Sequence, residues 1–148
     1  MSRFKDGFSP RGIFSMRVYR NGILSEESIY DNLIVNGARE QMARLIAGEV
    51  AGRSVSKIAF GTNGTDASYP DNEITDMFAK EIERHAYTAM GQVRFDWKLE
   101  TTENNGMAIM EFGLLTEDGM LFARRTRGNP IHKDSDISIE GEWTIMFN

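Results

Sequence analysis

The sequence predicts a mostly β fold: a single antiparallel β-sandwich-like domain, with a C-terminal meander and one short helix packed on it. Three observations predict this. From Gln92 to Asn148 apolar and polar residues alternate with a period of two, the spacing that places strand side chains on one face. Clusters of Asn, Asp and Gly separate the alternating runs, as tight turns require. One convincing stretch of helical spacing, Ala38 to Ala47, interrupts them.

Residues Met1 to Gly12 hold Phe4, Phe8, Pro10 and three basic residues, Arg11 among them, without strand or helix periodicity. They are expected to form an arm (residues 1–12) ahead of the β domain (residues 13–148). The two aromatics either dock onto a neighbour or fold back onto their own domain. Ile13 to Tyr19 reads as a strand with Phe14, Met16 and Val18 on one face. Asn21-Gly22 then marks a hairpin, because both residues tolerate positive φ. Ile29 to Val35 is a second apolar stretch, interrupted by Asp31 and Asn32.

Asn36 suits the N-cap of the helix, since its side-chain oxygen can accept an orphan N–H. Met42, Leu45 and Ile46 form a narrow stripe, and Gly48 stands where a left-handed cap is wanted. Val55 to Phe60 reads as a buried strand ending at the small-residue loop Gly61 to Thr65. Ile74, Met77, Phe78 and Ile82 fit either a helical turn or a strand edge.

Four strands are expected to follow as a meander. Gln92 to Leu99 carries Val93, Phe95, Trp97 and Leu99 on one parity. Met107 to Leu115 is apolar on both faces, so burial on both sides is expected. Met120 to Arg127 is the third, stopped by Gly128-Asn129-Pro130. Ile137 to Phe147 is the last, with Ile139, Gly141, Trp143 and Ile145 facing one way. The chain stops one residue later, which suggests a compact module with nothing appended for chemistry.

The totals restrict function. A chain of 148 residues, 41% hydrophobic and 26% charged, fits one domain able to bury a core without crosslinks. There are no cysteines, which excludes disulfides, thiolate metal sites and cysteine nucleophiles. The net charge of −5 argues against nucleic acid, whose binders draw affinity from phosphate neutralisation. No apolar run approaches the ~20 residues of a membrane span. Nine methionines fit gap-filling in a core more readily than an interface.

Candidate chemistry is sparse. Gly61 to Thr65 lacks the lysine and the following helix of a phosphate loop. His85 and His132 have no ligand-spaced partner. Asp134-Ser135-Asp136 reads as a turn, lacking the other positions of a calcium loop. Glu100, Glu103, Glu111 and Glu117 could in principle supply a glycosidase carboxylate pair, but solvated sheet edges and turns explain them better. Arg124, Arg125 and Arg127 cluster on one strand with Lys133 beyond it. Either they are edge charges that discourage strand pairing, or they reach acidic groups such as Glu140 or Glu142 of another subunit. Phe4, Phe8, Arg11, Arg124, Arg125 and Arg127 are the candidate interface residues.

Several segments carry a resemblance: Asn32 to Arg39, Lys57 to Gly64, Glu111 to Thr116, Leu121 to Arg125, and Asp134 to Phe147. They resemble those of small tail-associated structural proteins of tailed bacteriophages, over most of the chain from about Leu33. The resemblance implies a non-enzymatic virion component of the tail, baseplate, collar or fibre-attachment kind. It implies several copies in a symmetric assembly, made in the host cytoplasm, with other tail or baseplate proteins as partners. It carries over no active-site residue, and no cofactor, nucleic acid or membrane insertion is expected. The alternatives are a carbohydrate-binding host-attachment module using Trp97 and Trp143, a capsid decoration protein, and a cell-wall hydrolase.

Overall fold

The computed structural model describes residues 10–147. Nine strands and one helix follow in the order β1 (Pro10–Arg20), β2 (Ile23–Ile34), α1 (Asn36–Ile46), β3 (Val55–Gly61), β4 (Phe78–Glu81), β5 (Arg84–Ala89), β6 (Gln92–Leu99), β7 (Ala108–Thr116), β8 (Leu121–His132) and β9 (Ile137–Phe147). All pair antiparallel in one curled sheet, in the order β4-β3-β7-β8-β2-β1-β9-β6-β5. The mostly β, sandwich-like expectation is met.

The sheet folds over at β2. Residues Ile23 to Asn32 pair with β1, whereas Leu33 and Ile34 pair with Ala123 and Arg124 of β8. The two halves therefore face each other across one aromatic core. Phe14 of β1 lies 4.8 Å from both Phe112 of β7 and Trp143 of β9. Phe60 of β3 sits edge-on to Trp97 of β6 at 5.7 Å. Such offset and edge-to-face pairs add about 0.5–1.5 kcal/mol each beyond burial. Trp97 and Trp143 are 2% and 0% exposed, and β9 alternates buried and half-buried residues along nearly its whole length.

The last four strands are not a meander. Only β7 and β8 pair as consecutive neighbours; β6 pairs with β9, and β9 continues to β1. Alternation assigns each strand an inner face but says nothing about its neighbour. The indoles of β6 and β9 share one half, opposite Phe112 of β7, so the chain must cross between halves after Leu99 and again after His132. Strand β8 also runs through Gly128-Asn129-Pro130, absorbing them in a bulge opposite the Ile109–Glu111 stretch of β7. The arm yields its last three residues to β1, where Pro10, Arg11 and Gly12 pair with Phe147, Met146 and Ile145. Strand β5 was not foreseen, and the Ile74–Ile82 stretch resolves as edge strand β4 with Ile74 buried beside it.

The first hairpin is as expected, with φ of 52° at Asn21 and 78° at Gly22. Helix α1 begins one residue earlier than a capping Asn36 would allow. Val35 is the N-cap, without a side-chain hydrogen bond. Its other end matches expectation: Gly48 has φ +93°, and the N–H groups of Gly48 and Glu49 bond Leu45 and Arg44 carbonyls, a Schellman arrangement. The helix rests on the sheet through Ala38 and Met42. No helix among the described residues is long and apolar enough to cross a membrane.

Candidate interface site

Four of the six candidate interface residues converge where β2 parts from β8. Arg124, Arg125 and Arg127 line a cavity of about 400 Å³ with Asp31, Asn32, Leu33 and Asp66. Arg11 lines a neighbouring one of about 430 Å³ with Pro10, Gly12, Arg39 and Tyr69, and Asp31, Asn32 and Leu33 form the shared wall. Phe4 and Phe8 lie outside the described residues.

Arg124 pairs with Gly113 and so lies on the face of β8 away from Phe112 and the aromatic core; it is 3% exposed there because the 61–75 loop covers it. Its Nε donates to Glu111 Oε1 at 2.9 Å, Nη1 to Asp71 Oδ2 at 2.8 Å, and Nη2 to the Asn63 carbonyl at 2.9 Å. Glu111 is fully buried and also accepts the backbone N–H of Asn63 and of Thr75, at 2.8 and 3.0 Å. Burial alone would raise the Asp71 carboxyl. The Ser68 N–H and hydroxyl, together with Arg124, hold it below its ordinary value. One buried ion cluster thus ties β7, β8 and the 61–75 loop together. Arg124 is a lock inside the chain, and its candidacy as an outward contact is corrected accordingly. Being buried, Arg124 is not a solvated edge charge either.

Arg125 points the other way. Its guanidinium lies 3.8 Å over the Tyr30 ring and donates to the Asp31 carbonyl at 2.9 Å. Burial pulls its pKa below the ordinary value. Arg127 grips Glu26 with two bonds, of 2.9 and 3.2 Å, and holds that carboxyl below its usual range. These bridges span the gap between β2 and β8 where no backbone pairing exists. Glu140 and Glu142, foreseen as partners of the β8 arginines, flank Arg17 of the same chain instead, at 3.5 and 2.6 Å. Arg11 is exposed at the mouth of the second cavity. The Asn32 side chain lies over Gly12, and both ends of its amide lack a protein hydrogen-bond partner.

The other sequence candidates are dispersed. Glu103 accepts from Lys80 at 2.7 Å and takes no part in the Glu111 cluster. Asp134 to Asp136 form the β8–β9 turn, with Asp136 paired to Arg20. His85 packs against Phe95 on β5. Lys133 is buried, its ammonium donating to Asn105 Oδ1 at 2.7 Å and closing the 101–106 turn; burial lowers its pKa. Among the described residues, no group of three His, Asp or Glu side chains could hold a metal ion.

The Glu111–Arg124 lock was missed as a unit. Glu111 interrupts an otherwise apolar run from Ala108 to Leu115. A carboxylate there signals a buried partner of opposite charge, and Arg124 follows across the next hairpin. Comparison with protein-family models, with curated proteins and with solved structures finds no match for this chain.

Proposed function

We propose that this chain is a non-enzymatic structural protein of a tailed phage particle, present in several copies as a tail, baseplate, collar or fibre-attachment component. The observation that supports it is where the phage-like segments fall. Lys57 to Gly64, Glu111 to Thr116 and Leu121 to Arg125 lie on β3, β7 and β8 and meet at the Glu111–Arg124 lock. Asp134 to Phe147 supplies the central strand β9. These segments build the frame, and Glu111, Arg124, Asp136 and Glu142 in them are already engaged within the chain. A frame that is internally satisfied suits a repeated building block better than a catalyst, whose acids and bases are held ready for substrate.

The carbohydrate-binding alternative loses its main support, because both indoles are enclosed by the core. A capsid decoration role remains the second reading, since the same satisfied frame would serve it. Imaging of the intact particle at side-chain resolution separates the two. Density for this chain in the tail region is the expected result. Density on the capsid surface favours decoration, and absence from the particle overturns both. Deleting residues 1–9 is expected to leave the domain folded and to weaken its incorporation; full incorporation of the truncated chain would remove the arm from the contact surface.

A further inference from the structure

An apolar cavity of about 180 Å³ opens between the two halves of the sheet. Met42 and Leu45 of α1, Phe122 of β8, Val93 and Phe95 of β6, and Phe147 of β9 line it. Arg53 and Ser54 are the only polar residues among those that line it. An apolar hole of about 150 Å³ takes up a benzene ring, so this one has room for a single phenyl side chain. Its surroundings are apolar too. Ile46, which follows Leu45, is 89% exposed. Met90 is 98% exposed and precedes Gly91, whose carbonyl accepts the Phe147 N–H.

Strand register places this cavity relative to residues 1–9, which lie outside the described residues. Pro10 pairs with Phe147, Gly12 with Ile145 and Phe14 with Trp143. Val93 and Phe95 pair with the same Ile145 and Trp143. The cavity therefore lies level with Pro10, Gly12 and Phe14, at the start of β1. Phe4 and Phe8 are the aromatic residues ahead of it, spaced by even numbers from Phe14, whose parity faces the core. Ser9 precedes a proline, and a residue in that position is held to extended conformations. A straight continuation of β1 carries Phe8 about 7 Å past the level of Phe147, beyond its own cavity. Nine residues reach about 30 Å, enough to enter another subunit. Charge favours that contact: Arg3 and Lys5 outweigh Asp6 in this segment, whereas the whole chain carries −5.

We propose that residues 1–9 of one copy reach a second copy and seat Phe8 in this cavity. The ring replaces empty apolar space with packed contacts, which is where an interface anchor gains most. Knob and hole belong to the same chain, so the contact closes as a reciprocal pair or repeats around a ring. The inference rests on the multi-copy part of the function proposed above and names the surface that would achieve it.

Sedimentation velocity on the full chain tests it with Phe8→Ala, which removes the knob, and Leu45→Phe, which fills the hole from half-buried Leu45 of α1. Val93→Phe fills it from β6 should Leu45→Phe fail to fold, as circular dichroism will show. The unaltered chain is expected to form concentration-dependent oligomers, and each variant alone to weaken association by about tenfold or more. Mixed, the two variants should recover a one-to-one dimer, since each retains what the other lacks. In dilute protein Phe8→Ala should melt at the temperature of the unaltered chain. Oligomers that neither substitution weakens would overturn the contact. An unaltered chain that stays monomeric up to its solubility limit would overturn it too, even if particle imaging finds it in a tail; a lower melting temperature for Phe8→Ala would then put the ring in its own cavity. Oligomers lost by both variants, in a chain absent from particles, would leave this inference standing and remove the phage reading.

Discussion

At the scale of single residues the most sensitive positions are polar groups that have no access to water. Glu111 satisfies two backbone N–H groups and one guanidinium. Glu111→Ala would leave buried Arg124 with Asp71 as its remaining carboxylate and orphan the N–H groups of Asn63 and Thr75, and a loss of about 3–5 kcal/mol is expected. Glu111→Gln keeps one oxygen for the loop but removes the charge, so its loss should be smaller. Urea denaturation of the two variants measures both. Glu26, Asp71, Glu103, Asp118 and Glu142 are carboxyls held below their ordinary values. A carboxyl that titrates lower when folded takes up its proton more readily when unfolded. Its contribution is complete above the unfolded values, 4.5 for glutamate and 3.8 for aspartate, and vanishes as pH falls through the folded ones. The urea midpoint is expected to drop steadily below about pH 4.5. Glu142→Gln should make that drop shallower, because the bonds from Arg17 are the main cause of its shift. A midpoint unchanged down to pH 3 would contradict the ion pairing.

At the scale of elements, backbone proximity decides what each strand tolerates. A Cβ at Gly141 would lie 2.1 Å from the Ser15 carbonyl of β1 and 2.7 Å from the Trp97 ring. Backbone on one side and a buried indole on the other leave nothing to yield. Gly141→Ala is therefore expected to destabilise by about 1–3 kcal/mol or more, as overpacking does. Gly128→Ala, in the β8 bulge, meets nothing within 4 Å and should change stability by less than about 0.5 kcal/mol. Thermal denaturation compares the pair. The sequence placed Gly141 on the apolar face of its strand but gave no sign that β1 would press on it. That contact depends on which strand lies beside β9, and alternation is silent about neighbours. The Asn21-Gly22 hairpin and the Gly48 helix end were legible because each is a property of a few adjacent residues with positive φ. Strand β5 was not, because Arg84 to Ala89 buries little and so shows no alternation.

At the scale of the whole molecule the sheet is an open band that folds over at β2, with both tryptophans between its halves. Their emission is expected to be blue-shifted and resistant to soluble quenchers. Emission near that of free tryptophan would mean the halves do not close as described. The arm now has a structural boundary. Deleting residues 1–9 removes nothing from the described strands, whereas deletion through Gly12 strips three residues from the pairing of β1 with β9. The longer deletion alone is expected to lower the melting temperature.

The sequence by itself determined the class of fold, most strand and turn positions, and the inner face of β1, β6 and β9. All of these follow from periodicity and local φ preference, which act over a few residues. Only the tertiary structure decided the strand order, the crossing between halves and the fate of the arginines. Those depend on which surfaces meet once the sheet curls. Arg124, Arg125 and Arg127 are alike as residue types, yet pairing of β8 with β7 and β2 buries the first among carboxylates, stacks the second on Tyr30 and turns the third towards Glu26.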